Sequence, residues 1–204
     1  TAKQLNLALT GGARFDKTYD GNANVTQSLT KDRNYTLTNF VNGEGADIAL
    51  APVTGAYTDK NAGMGKTVTF GGLTLTGTGA GNYSLSATTL TTTGDIARKT
   101  LTLEGTAGTQ FTKTYDGNAN VTQSLTKGTN YTLTGFVTGE GNGIALGSST
   151  GTYTDKNAAA DKAVTFNGLT LTGAGAGNYA LNKTTLTGTG TIARRALTLG
   201  AVAA

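Results

Sequence analysis

The chain has 204 residues, a formal charge of +4 and a pI near 9.3, and it contains no cysteine, tryptophan or histidine. The missing residues exclude disulfides, thiolate nucleophiles, thiol or imidazole metal ligands and the commonest general base. Its 16 basic residues are scattered without a Lys/Arg-rich run, which argues against a nucleic-acid partner, and no apolar run is long enough for membrane insertion. Only 14% of residues are charged, against about a quarter in average globular chains. Threonine, asparagine and 31 glycines fill the difference, a composition of pleated strands joined by tight turns.

In chain order, the first expected element is an alternating strand with Leu5, Leu7 and Leu9 on one face. Lys17-Thr18-Tyr19-Asp20-Gly21-Asn22 follows, and its chemistry predicts a strand ending in a type I′ or related turn, with Asp20-Gly21 at the bend and the tyrosine ring on the core. Val25 to Leu29 leaves room for a helical turn. Period-two pairs then recur at Tyr35 and Leu37, Ile48 and Leu50, Val68 and Phe70, Leu73 and Leu75, and Tyr83 and Leu85. Glycine-rich turn signals separate them, at Gly43-Glu44-Gly45, Gly71-Gly72 and Gly79-Ala80-Gly81-Asn82. A second helical turn fits between Asn61 and Lys66. The pattern predicts an antiparallel meander or a small sandwich with one compact core and little apolar material left to line a deep pocket.

The same landmarks then return. Tyr19 aligns with Tyr115, which sets an offset of 96 residues, and Asn82-Tyr83 with Asn178-Tyr179 and Ile96-Ala97-Arg98 with Ile192-Ala193-Arg194 need no gap. A period this long is a whole domain rather than a solenoid turn. The leading strand recurs as Leu101 and Leu103 and again as Leu197 and Leu199. The expected organisation is therefore a first module over 1–97, a second over 98–194, and over 195–204 the start of a following repeat or junction. Modules so alike are expected to unfold in closely similar transitions.

Several motifs carry a chemical and a structural reading side by side. Tyr19 and Asp20, with Tyr115 and Asp116 in the second copy, are candidates for a glycan-contacting or cation-binding surface. Asp59 and Asp155 join them as surface-contact candidates, but isolated acids beside glycine are usually solvated turn residues, and the alternating carboxylates of an EF-hand are missing. Gly77-Thr78-Gly79-Ala80-Gly81 lacks the lysine and hydroxyl of a phosphate loop. Thr74, Thr76 and Thr78 suggest a regular hydroxyl array, but threonine is also what exposed strand positions prefer. Asn-X-Ser/Thr sequons stand at Asn24, Asn34, Asn82, Asn120, Asn130 and Asn182. No catalytic, metal-binding or cofactor-binding residue is expected, and the chain is not expected to be an enzyme.

Lys-Thr-Tyr-Asp-Gly-Asn, Gly-Ala-Tyr-Thr-Asp-Lys-Asn (55 to 61), Gly-Lys-Thr-Val-Thr-Phe (65 to 70), Leu-Thr-Leu-Thr-Gly (73 to 77) and Gly-Asn-Tyr-Ser-Leu (81 to 85) occur in that order. This ordered set resembles the YDG/MBG-type repeats of large bacterial surface proteins of the filamentous haemagglutinin type. The resemblance covers both modules nearly end to end, including the link Ile96-Ala97-Arg98-Lys99-Thr100-Leu101-Thr102-Leu103.

The resemblance implies an exported adhesin, secreted or displayed at the cell surface through two-partner secretion or an autotransporter. It also implies tandem, near-identical, all-β sandwich or β-grasp-like modules in an elongated arrangement. Their expected role is a monomeric stalk that projects a distal adhesive region, with the neighbouring repeats as partners. The alternative is that the repeats themselves bind host glycan, matrix or biofilm polysaccharide, with avidity from repetition.

Overall fold

A computed structural model describes residues 1–200. The chain divides into two compact units, Thr1–Lys99 and a second that begins at Thr100. The first is built from β1 (Lys3–Leu9), β2 (Lys17–Thr18), β3 (Tyr35–Thr38), β4 (Ala49–Leu50), β5 (Ala56–Tyr57), β6 (Gly63–Gly71), β7 (Leu75–Thr76), β8 (Tyr83–Leu85) and β9 (Thr89–Ala97). A single 3-10 turn, Ala80–Asn82, is its helical content.

The strands form three sheets with a mixed pattern. In one, β1 lies between β3 and β8, antiparallel to β3 and parallel to β8. In the second, of order β2-β9-β6-β5, β9 runs parallel to β2 and antiparallel to β6. The pair β4 and β7 is antiparallel. Alternation places Val68 and Phe70, Tyr35 and Leu37, and Leu90 and Ile96 inside, with the Phe15 and Phe70 ring centroids 4.8 Å apart.

The second unit repeats this order with β10 (Lys99–Gly105), β11 (Gln110–Thr114), β12 (Tyr131–Thr134), β13 (Ala145–Leu146), β14 (Thr152–Tyr153), β15 (Ala159–Phe166), β16 (Leu171–Thr172), β17 (Tyr179–Leu181) and β18 (Leu186–Ala193). Its sheets are β12-β10-β17, β11-β18-β15-β14 and β13-β16. Leu103, Phe111, Tyr131, Val164, Phe166 and Ile192 are among the residues of its core. The fold is thus all-β, in two tandem sandwich-like units.

Several local expectations are corrected. The units are not antiparallel meanders, because each closes by parallel pairing between strands far apart in sequence. No helical turn forms between Asn61 and Lys66. Pairing with β9 draws residues 63–66 into β6, and a register shift between Gly63 and Lys66 is accommodated by Gly65 at φ 61°. Val25 is likewise extended, donating its N–H to Gly55 O at 2.8 Å while its side chain is buried.

The bend at Asp20-Gly21 is not type I′, since only Gly21 has a positive φ. It is stabilised by side-chain oxygens instead: Asn22 N–H donates to Asp20 Oδ1 (3.1 Å) and Asn24 N–H to Asn22 Oδ1 (2.8 Å). Thr74, Thr76 and Thr78 are exposed but span only the two-residue β7, so they form no extended array. The expected further repeat over 195–204 is described only to residue 200. There Leu197 and Leu199 lie outside any strand and are fully exposed.

Candidate functional site

In the stretch Phe15-Asp16-Lys17-Thr18-Tyr19, strand alternation sends residues 15, 17 and 19 inward, so a lysine enters between two buried aromatics. The Lys17 side chain is only 3% exposed. Its ammonium donates to Asp20 Oδ1 (2.6 Å), Asn22 O (2.8 Å), Asn22 Oδ1 (3.2 Å) and Asn24 O (2.9 Å), and lies 5.6 Å from the Tyr57 ring centroid. This set meets the cost of burying a charge, which needs both a counter-ion and satisfied donors.

Lys113 repeats the arrangement with Asp116 Oδ1 (2.7 Å), Asn118 O (2.9 Å), Asn118 Oδ1 (3.0 Å) and the Tyr153 ring. The loop oxygens that could have received an external cation converge on an internal one. Burial works hardest against ionisation of Asp20, but its bonds from Lys17 and the Asn22 N–H together hold its pKa below the usual carboxylate value.

The other candidates are also engaged within their own unit. Asp59 Oδ2 accepts from Lys66 Nζ at 2.7 Å and its Oδ1 from Asn61 N–H at 2.8 Å; Lys66 is the main cause of its lowered pKa. Asp155 has the equivalent partners on one oxygen, Oδ1 accepting from Lys162 Nζ and Asn157 N–H, both at 2.7 Å. These two carboxylates are half-exposed. Asp116 carries a lowered pKa, caused first by Lys113.

Tyr19 corrects the expectation of a surface contact. At 2% exposure its ring belongs to the core, because period two places it on the face of Phe15, and its N–H extends the ladder to Ala97 O at 2.8 Å. Tyr115 is only partly buried against the second core. It lines an open cleft of about 450 Å³ with Asn157, Ala158, Arg194, Arg195 and Leu197.

Sequence reasoning passed over three polar constellations. Lys31 Nζ caps two backbone carbonyls, Gly45 O (2.7 Å) and Ile48 O (3.0 Å), above the Phe40 ring, as Lys127 does at Gly141 and Ile144. The Tyr83 hydroxyl donates to Glu44 Oε2 (2.5 Å) and accepts from Val41 N–H (3.2 Å), matched by Tyr179, Glu140 and Val137. In the first unit only, Arg14 Nη2 reaches Asp95 Oδ1 (2.8 Å) and Asp16 Oδ1 (3.4 Å). For the first two the available signal was a lysine or acid at the same offset in both copies, Lys31 with Lys127 and Glu44 with Glu140; the Arg14 network, found in one copy, had no such signal.

Among the described residues, no group of three or more acids is placed to hold a metal ion. No curated protein and no solved structure matches the chain. The family model of the YDG domain matches twice, over residues 1–91 and again over residues 97–187. With both repeats covered in this way, the chain belongs to the YDG-domain family.

Proposed function

We propose that the tandem acts as stalk or spacer repeats of a secreted or surface-displayed bacterial adhesin and carries out no catalysis. Its partners on this reading are neighbouring repeats, and its contribution is length. The observation that supports this most is the internal use of the polar side chains. The recurring lysines and acids of each unit are tied to that unit's own loops, and Lys17 and Lys113 fill the best-built oxygen cages with an internal cation.

The test is a displayed parent protein in which residues 1–194 are deleted or replaced by two unrelated β-sandwich domains of similar length. A spacer loses adhesion on deletion and regains it on replacement. Failure of the replacement to restore adhesion overturns the reading.

One observation favours the alternative, in which the repeats bind glycan weakly. The Tyr115 cleft joins an aromatic ring to Arg194 and Arg195, groups suited to a polar or anionic sugar. Multimerised tandem applied to a glycan array, with Tyr115→Ala as the control, tests this. Loss of a positive signal in the variant supports sugar binding, and an empty array removes it.

A further inference from the structure

We propose that each unit is a mechanical clamp, in which parallel pairing of an early strand with the last strand places the ladder in shear when the chain is pulled by its ends. The physiological meaning of the clamp rests on the stalk reading, but its geometry does not. In the second unit β11 pairs with β18 through a parallel register from Gln110↔Thr189 to Thr114↔Ala193. In the first, β2 pairs with β9 through Lys17↔Ile96 and Thr18↔Ala97, preceded by the bridge Arg14↔Thr93.

Tension enters an early strand from its amino-terminal end and leaves the last strand from its carboxyl-terminal end. In a parallel pair these ends lie at opposite extremities of the ribbon, so the strands must slide past one another. Evenly spaced bonds along the ladder are then strained together. Pulling the two strands from the same extremity would break the bonds one at a time. Moreover, β9 and β18 are not edge strands: each is also held antiparallel by β6 or β15 on its other side.

Three further contacts fix the clamp. Gly94 and Gly190 allow the backbones to approach, since a Cβ at either position would lie 1.7 Å from Phe15 O or 2.1 Å from Phe111 O. The buried Tyr153 hydroxyl donates to Phe111 O at 2.8 Å, which ties β11 to the opposite edge of its sheet, as Tyr57 ties Phe15. Lys113 then holds the carboxyl-terminal end of β11 to the following loop.

The chain has no cysteine, so thiol handles can be placed at will for single-molecule force spectroscopy. Ala107→Cys with Arg195→Cys loads β11 and β18 in shear, whereas Ala107→Cys with Thr184→Cys peels them from their shared amino-terminal extremity. The expected result is a shear rupture force at least roughly twofold above the peel force, because forced unfolding reports the barrier along the direction pulled. Equal forces would overturn the clamp.

Urea midpoints equal to that of the parent chain separate pulling direction from any loss of stability in the variants. The unmodified tandem pulled by its ends provides an independent reading. Each unit should release roughly 300 Å of contour length at about 3.4 Å per residue. Because β1 and β10 precede the clamp strands, the event to compare is the one that follows their release: rupture near the shear force supports the clamp and rupture near the peel force overturns it. Because these forces are read on the isolated tandem and not on adhesion, they can fail while the replacement experiment succeeds, and the reverse.

Discussion

The junction of β2 with β9 and that of β11 with β18 occupy the same place in two nearly identical units, yet they are built differently. In the second unit a five-residue backbone ladder runs the length of β11, with Gln110, Thr112 and Thr191 as bystanders. The first unit has Arg14, Asp16 and Asp95 at those positions, and its β2 shrinks to two residues. There the Asp95 N–H donates to Asp16 Oδ1 at 2.7 Å, and Asp95 Oδ1 receives the Gly65 N–H at 2.6 Å and the Arg14 guanidinium at 2.8 Å. A side-chain network has taken over bonds that a backbone ladder makes elsewhere. Strand length in these two units is therefore set locally by a few residues without altering the topology they share.

The strongest challenge to the equivalence of the two junctions is Gly94→Val against Gly190→Val. Both place carbon atoms against a carbonyl that cannot move away, and each should destabilise its unit by about 3 kcal/mol. Urea unfolding measures the loss, and hydrogen exchange shows that protection falls only in the substituted unit. Similar effects at the two sites would confirm that close approach, rather than ladder length, is the shared requirement.

Next in size are Lys17→Met and Lys113→Met, each expected to cost about 1–2 kcal/mol, because the loop oxygens lose their donor while the acid can still turn to water. Lys17→Met should be the more damaging, since Lys17 also donates to Asn24 O. Thermal unfolding of the two variants orders them, and the reverse order would mean that the bond to Asn24 contributes nothing.

Acidification sharpens the contrast further. Asp20, Asp59 and Asp95 in the first unit, and Asp116 and Asp155 in the second, have lowered pKa values in the folded chain. For Asp95 the main cause is the Gly65 N–H, followed by the charge of Arg14. A lowered folded pKa contributes stability that is fully present above the unfolded value, about 3.9, and is lost as pH falls through the folded value. The first unit should therefore lose more Tm between neutral pH and pH of about 3 than the second. Calorimetry of the tandem across this range reads the difference.

The smallest expected effect on stability comes from Arg14→Gln, Asp16→Thr and Asp95→Thr together. The charges involved are well exposed to solvent, which screens them, so the change should be smaller than any of those above. The same exchange should lengthen the β2 ladder and remove part of the acid sensitivity. Amide protection at residues 14–18 that matches residues 110–114 would show this, and unchanged protection would contradict it.

Much of the core was legible before any coordinates. Val68, Phe70, Tyr35, Leu37, Tyr83 and their counterparts all face inward as period two requires. The partners of the strands were not legible, because alternation identifies a face and says nothing about the neighbour. Asp16 and Asp95 are 79 residues apart, and so are Leu7 and Ser86. The Asn61–Lys66 stretch was misjudged because β9 supplies a tertiary partner that overrides weak local preference. Among the site candidates, each aspartate lay where turn chemistry placed it. Tyr19 took the core position that its structural reading gave it, not the surface contact; Lys17 was not singled out, because buried lysine runs against the ordinary bias of the residue and becomes intelligible only with its oxygen cage in view.

The central position of the last strand also bears on how a unit can come into being. Until β9 exists, β2 and β6 have no common neighbour, and the second sheet stays in two pieces. The second sheet of each unit is therefore complete only once its closing strand is available to unite segments made long before it. With near copies in succession, this closure also offers a chance of error, since β18 carries much the same face as β9 and fits the neighbouring vacancy. Finishing one unit before the next closing strand appears is the order of events that avoids the exchange.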